Sequence, residues 1–403
     1  QHSGEFGRFA PLLWTPLVTV LLVWWTRRFV PGAAGSGIQQ VLRALDEDLP
    51  RDQLRWLVSL RIALHKVVLT AGGLLAGLSI GREGPTVQIG AGVMEHARRW
   101  LSPKSTIDSH DLMVAGAAAG IAAAFNTPLG GIVFALEALS RRRGINHSAL
   151  VIASIVLSGM VAVSVFGNET YFGILSVQDL KWSLLGPGVL VALTAGLAGG
   201  LFARLVVVTV RGLPDRFSRL RRTHPLRFAA VCAFGVALIG VVTGGSTDGA
   251  GYETTRALLE GHGELPGVYT LLKFVATWLS ACTGAPAGMF APSLAIGAGI
   301  GHDIGLLTGV GPEAAIPLIA LGMVGFLAAV TQEPITAFII VMEMVSGHTM
   351  VLSLMSCALV ASGVSRLVTK SMYAELARLL VLPAVTAPPI AADEPAPLAK
   401  PGE

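Results

Sequence analysis

Charge is what this chain has least of. Asp, Glu, Lys and Arg together make up 13% of its 403 residues, whereas hydrophobic residues make up 53%. With a mean hydropathy of +0.67, that balance excludes an ordinary soluble domain and leaves an integral membrane protein. Cysteine is scarcer still. Cys232, Cys282 and Cys357 lie in apolar stretches, and an odd count without metal-ligand spacing argues against a disulfide framework and against a metal site; they read as packing residues. No HExxH or facing nucleophile and base is present, so the sequence offers no intramembrane enzyme and no resident cofactor. The formal net charge is only +4, and the arginines cluster between apolar runs. That is positive-inside anchoring in a lipid bilayer, not a nucleic-acid footprint. Residues 1–6 carry no signal-peptide pattern.

What the chain does have is a repeat. Lys66, Gly81, Pro85 and the run Ile89-Gly90-Ala91-Gly92 recur as Lys273, Gly288, Pro292 and Ile296-Gly297-Ala298-Gly299, about 207 positions later. Gly116, Pro128 and Glu137 return as Gly322, Pro334 and Glu343 at an offset of about 206. A membrane chain built from two homologous halves places its substrate where the halves meet.

Crossing a bilayer takes ~20 apolar residues, which predicts full-length spans near 11–26, 59–80, 148–166, 183–210, 228–243, 267–285 and 350–369. Shorter apolar pieces at 84–94, 112–124, 128–140, 292–309, 318–330 and 334–345 are interrupted by Gly, Pro, Asn126-Thr127-Pro128 or Gln332-Glu333-Pro334. Broken helices leave backbone groups unpaired, so in a membrane they belong where protein or a polar cavity satisfies them. The first run ends at Arg27 and Arg28, while its counterpart at 228–243 begins after Arg211, Arg216, Arg219, Arg221, Arg222 and Arg227. Basic residues at opposite ends of two copies mean opposite crossing directions. The expected fold is therefore an all-α polytopic membrane protein with an inverted-topology repeat of broken, tilted helices. Its expected parts are 1–170 (first repeat), 171–350 (second repeat), 351–382 (C-terminal helices carrying Tyr373) and 383–403 (a Pro- and Ala-rich disordered tail). The run 183–210 lacks a partner in the first half, which predicts a native span preceding residue 1.

Gly35-Ser36-Gly37, Gly81-Arg82-Glu83-Gly84-Pro85 and Gly288-Met289-Phe290-Ala291-Pro292 each read as a helix N-terminus. Free amides and the positive end of the helix dipole favour an anion there. One terminus contributes ~0.3–1 kcal/mol, up to ~2 when partly buried. Dehydrating an ion costs far more, so several termini must hydrogen-bond it directly. Partial charges also hold an ion loosely enough to release it. An ionised Glu83 would satisfy the same amides, so carboxylate and anion compete for one position until protonation removes the competitor.

These motifs, together with Thr86-Val87-Gln88-Ile89-Gly90 and the late Lys370-Ser371-Met372-Tyr373, resemble the CLC family of chloride channels and chloride/proton antiporters from about residue 9 to 380. The resemblance implies a central chloride site lined by the hydroxyls of Ser36 and Tyr373 and the amides of Met289 and Phe290. Gly37, Arg82 and Gly84 belong to the same chloride-binding set, and Glu83 is the extracellular-side gate and proton acceptor. It also implies a homodimer with one pore per subunit, in a bacterial inner membrane. Serine at position 36 points to chloride, where proline is associated with nitrate. Three positions depart from the pattern: Ala138 where coupled bacterial members have an inner proton-passing glutamate, Leu42 at a second acidic position, and Gln39 where a proline is usual. Two functions therefore stand: chloride/proton exchange gated by Glu83, with water or Glu137 replacing the inner relay, or passive Glu83-gated chloride conduction.

Other polar residues have plainer readings. Lys66 and Lys273 steer or balance charge, through a structural ion pair or ion contact. Glu137 and Glu343 lie near helix ends as structural acids. Tyr373 has an alternative as an interfacial anchor, Ser36 as a turn residue and Glu83 as a helix cap. Arg141-Arg142-Arg143 is a cytoplasmic anchor, and His65, His96 and His348 show no metal spacing.

Overall fold

The structure, a computed structural model, describes residues 9–46, 49–140, 144, 147–167, 171–173, 182–261, 265 and 267–384. The Arg141–Arg143 run and the tail beyond residue 384 lie outside the described residues. Helix α1 (Pro11–Phe29) leads through short α2 (Ile38–Asp46) and α3 (Arg51–Leu57) to α4 (Leu60–Leu75), α5 (Glu83–Ala97) and α6 (Ser109–Phe125). Next come α7 (Pro128–Phe134), which continues as a π turn over Ala135–Leu139, and α8 (Ser148–Phe166). After α9 (Leu185–Arg211) and α10 (Arg216–Thr223), the order of α1, α2, α4, α5, α6 and α7 returns in α11 (Pro225–Val242), α12 (Tyr252–Leu259), α13 (Tyr269–Cys282), α14 (Phe290–Leu307), α15 (Pro312–Thr331) and α16 (Pro334–Met344). The chain closes with α17 (Val351–Val368) and α18 (Met372–Arg378). Among the described residues, seven helical stretches are long and apolar enough to cross a membrane. The protein is an all-α integral membrane protein.

The inversion is visible where the basic clusters meet. Helices α1 and α11 pack along one another, and Arg27 and Arg28 from the end of α1 share a cleft with Thr223 to Arg227 at the start of α11. One helix arrives at this basic face and its counterpart leaves it, so the two cross in opposite directions.

Five spans differ from expectation, the first being 11–26, whose helix α1 has 19 residues but is not among the seven apolar enough to cross. Residues 292–309 and 318–330 read as short pieces, yet α14 and α15 run unbroken for 18 and 20 residues. Residues 267–285 read as a full span, but α13 has only 14 residues. The span expected at 59–80 ends at Leu75, after a helix of 16 residues. In α14 the glycines are contact points instead of breaks, and α15 continues through Pro317 although that residue lies inside the helix. A Cβ on Gly297 or Gly322 would overlap the other's carbonyl oxygen, and Gly90 and Gly116 stand in the same relation. The α5–α6 and α14–α15 crossings thus bring backbone onto backbone, as small residues permit between membrane helices. This is why the repeat kept those glycines. Fully 94% of the α15 apolar window is buried, against 11% for α8, so the small-residue helices form the centre and α8 the periphery. Gly322→Ala should cost about 1–3 kcal/mol through overpacking, read as a lowered thermal unfolding temperature of the purified protein.

The three cysteines are free and buried, and Cys232 and Cys282 share one apolar cluster.

Candidate functional site

The two halves are joined at the motif itself. Gly81 N–H donates to the Gly288 carbonyl at 2.8 Å and Gly288 N–H to the Gly81 carbonyl at 2.9 Å, an isolated antiparallel bridge. No side chain fits at either position: a Cβ on Gly288 would press on the Gly81 backbone, and one on Gly81 would overlap the Glu83 carboxylate. The bridge sets the first turns of α5 and α14 side by side, with Glu83 and Phe290 as their first residues. Ala287 N–H donates to the Gly35 carbonyl at 3.1 Å and draws in the start of α2. Helix α18 packs on α2, and the Tyr373 ring stands 5.9 Å from that of Phe290. Four helix N-termini, those of α2, α5, α14 and α18, therefore meet in the protein interior.

Ser36, Gly37, Glu83, Gly84, Met289, Phe290 and Tyr373 are all buried there. The Ser36 hydroxyl lies against Gly84, where a Cβ would displace it, and it adjoins the Tyr373 hydroxyl. Ser36 Oγ, Tyr373 OH and Glu83 Oε1 have no partner at hydrogen-bond geometry. A buried polar atom left unpaired costs about 1–3 kcal/mol, so these three atoms are candidates for contact with a polar ligand. Complete burial also disposes of the interfacial-anchor reading of Tyr373. Arg82 stands apart. Its side chain is exposed and reaches Tyr171, which caps an aromatic group with Phe125, Phe172 and Tyr252. Its backbone belongs to the start of α5.

The carboxylate of Glu83 spans from one half to the other. Its Oε2 accepts from Ala291 N–H at 3.4 Å, in the first turn of α14. A helix cap normally serves its own helix; here the side chain reaches the N-terminus of the inverted partner. Gln88, one turn into α5, braces the neighbouring loop by donating to the Gly32 and Leu57 carbonyls at 3.0 and 2.7 Å.

Lys66 and Lys273 have a different task from the one expected. Lys66 Nζ donates to the Ala33 and Gly35 carbonyls, both at 2.7 Å. Lys273 Nζ donates to the Thr247 and Gly249 carbonyls at 2.8 and 2.9 Å. Each buried Nζ ties down the loop that opens a short helix, α2 or α12, by satisfying carbonyls that the turn leaves free. The second loop, Gly249-Ala250-Gly251, is the counterpart of Gly35-Ser36-Gly37 and escaped the sequence reading because a seven-residue gap separates the two registers. Ala250 has no hydroxyl, so only one half supplies this ligand.

Glu137 and Glu343 are structural, and reciprocally so. Ile335 and Thr336 N–H donate to Glu137 at 3.2 and 2.6 Å, while Leu129 and Gly130 N–H donate to Glu343 at 3.1 and 2.7 Å. Each acid, near the end of one broken helix, caps the start of its partner from the other half. The π turn over Ala135–Leu139 carries Glu137 and leaves Ala138 buried beside it. One acid escaped notice. Glu333, in the turn between α15 and α16, is 2% exposed, and the same turn is bonded at the Thr331 carbonyl to Ser371, just ahead of Tyr373. The available signal was that Glu333 occupies the place of Thr127 in the other half.

Residues 18–366 match the protein family described as "Voltage gated chloride channel". The chain belongs to that family. Among curated relatives, an H(+)/Cl(-) exchange transporter ClcA of Vibrio cholerae is 32% identical over 380 residues, 89% of this chain and 77% of the relative. A protein of the same name from Cronobacter sakazakii is 30% identical over 368 residues, 87% and 75% of the two chains. Among solved structures, a slow cyanobacterial Cl-/H+ antiporter superposes with a TM-score of 0.77 at 24% identity, covering 92% of this chain and 87% of that one. A CLC-type fluoride/proton antiporter gives 0.75 at 24%, covering 93% and 90%. At that identity the structures establish the shared inverted-repeat fold, which this voltage-gated chloride channel family member builds with its own residues.

Proposed function

We propose that this protein transports chloride across a bacterial inner membrane and exchanges it for protons, with Glu83 as the gate. The observation that carries the reading is the buried Glu83 carboxylate resting on the Ala291 amide, beside the unpaired hydroxyls of Ser36 and Tyr373. Dehydrated chloride needs donors, and hydroxyls of Ser36 and Tyr373 with amides of Met289, Phe290, Gly37 and Gly84 supply them as partial charges. An ionised Glu83 takes the amides for itself. Protonated, it gives them up, so proton arrival and chloride entry are linked at one position. The names of the relatives, H(+)/Cl(-) exchange transporters, agree with this reading. The protein works as a homodimer with a pore in each subunit.

Exchange needs a proton route on the inner side, and the family position for its carboxylate is the methyl group of Ala138. Glu137 has both oxygens engaged with amides of α16. Glu333, buried near Tyr373, takes the inner proton role in this reading. Ala138 equally favours a second reading, a passive Glu83-gated chloride channel. Vesicles loaded with chloride and followed with a chloride electrode and a pH probe separate the two. An outward chloride gradient should drive protons uphill into the vesicles; chloride flux with no proton movement would establish the channel instead.

A further inference from the structure

Away from the pore, a cleft of about 970 Å³ opens between α3, the start of α4 and the end of α5. Arg51, Arg55, Arg61, Arg98 and Arg99 line it against Asp52 and Glu95, a net of +3 with His96 neutral. Nothing in the transport mechanism uses these residues. Three of the guanidinium groups are held in place. Arg61 donates to the Phe29 carbonyl at 3.4 Å, Arg98 to Ser109 Oγ at 2.7 Å, and Arg99 lies 4.7 Å from the centroid of the Trp100 ring. Each guanidinium has five N–H donors in a planar fork, so these contacts fix the groups and leave donors for a ligand. Fixed forks of this kind suit phosphoryl oxygens.

The cleft also has a definite place relative to the bilayer. Arg61 ties it to the end of α1, beside Arg27 and Arg28, so it lies on the basic, cytoplasmic face. From Arg61 an exposed stripe runs along α4 through Leu64, Val68, Ala71 and Leu75 at helical spacing. Trp100, 73% exposed at the cleft's end, is the amphipathic ring found at headgroup level. A headgroup in the cleft would therefore have its acyl chains laid along an apolar helix face already turned to lipid.

We propose that this cleft binds the phosphoryl headgroup of an anionic lipid from the cytoplasmic leaflet. Basic recesses between helices on that side are suited to such headgroups, with each arginine contributing about fivefold to lipid retention. The test is native mass spectrometry of the protein released from nanodiscs of mixed phosphatidylglycerol, cardiolipin and phosphatidylcholine. The wild type should retain anionic lipid. The triple variant Arg55→Ala, Arg98→Ala, Arg99→Ala should lose it by roughly a hundredfold, while the Lys triple variant should keep most of it. Equal retention by wild type and Ala variant overturns the proposal. A second readout needs no variant: phenylglyoxal labelling of Arg98 and Arg99, mapped by peptide mass, should fall in anionic nanodiscs relative to phosphatidylcholine ones. Unchanged labelling overturns it. Millimolar inorganic phosphate protecting these arginines as well as anionic lipid does would make the ligand a soluble anion, and overturn the lipid assignment.

Discussion

In the variant Glu83→Gln, uphill proton movement falls to background while chloride flux continues and loses its pH dependence. Glutamine has nearly the same shape as the carboxylic acid and still offers an oxygen to the Ala291 amide, which Glu83 meets at 3.4 Å. What it lacks is the ionised state. A charge-assisted hydrogen bond contributes about 1.5–3 kcal/mol, and in the proposed function that contribution lets the carboxylate compete with chloride for the helix starts. Without it chloride has no acidic rival, so the variant should conduct at alkaline pH, where the wild type is slowest. In the wild type the sign is fixed by the same competition. On the proposed function, acidification should neutralise Glu83 and raise chloride flux, and alkalinisation should restore the charge and lower it. The variant should also remain as stable as the parent, because replacing an incompletely paired buried charge with a neutral isostere removes a desolvation cost. Paired chloride-electrode and pH recordings on vesicles decide the matter. Residual proton pumping in the glutamine variant would remove Glu83 from its role.

How much of this was legible in the sequence depended on whether the halves agree or differ. Where they agree, the residues build: Gly90 with Gly116 and Gly297 with Gly322 at the crossings, Lys66 and Lys273 at the loops, Glu137 and Glu343 at the caps. Repetition announced their importance but not their task, since a lysine satisfying carbonyls and a lysine facing an anion look alike in sequence. Helix lengths were misread for a similar reason. A glycine in α14 is a break in an isolated helix and a close contact in a packed one, and only the facing helix decides. Where the halves differ, the positions are the ones the transport reading needs. Glu83 stands opposite Phe290, Ser36 opposite Ala250 and Glu333 opposite Thr127. The first contrast was plain because its motif is dense. The second hid behind a change of register, and the third inside a proline-containing turn that read only as a helix breaker.

That third contrast leads to the other large effect: Glu333→Gln should abolish uphill proton movement while leaving chloride flux largely intact, because glutamine conserves the volume of the acid. The turn holding Glu333 is fixed by the interior. Gln332, left-handed at φ 58°, donates to the Thr369 carbonyl at 2.9 Å, and Ser371 donates to the Thr331 carbonyl at 3.0 Å. Those bonds place the turn against the segment that opens α18 and carries Tyr373, with Glu333 buried in it. A proton leaving Glu83 thus has a second buried carboxylate in the same interior, where Ala138 offers none. Glu137→Gln provides the contrast. It weakens a cap on α16 that joins the halves, so the expected loss is about 0.5–2 kcal/mol of stability, seen in thermal unfolding, with coupling intact. If coupling instead fails in Glu137→Gln and survives in Glu333→Gln, the proton route runs through the π turn of α7. If neither variant alters a proton flux that the wild type also lacks, chloride alone moves, and the buried charge of Glu333 serves only to orient the start of α16.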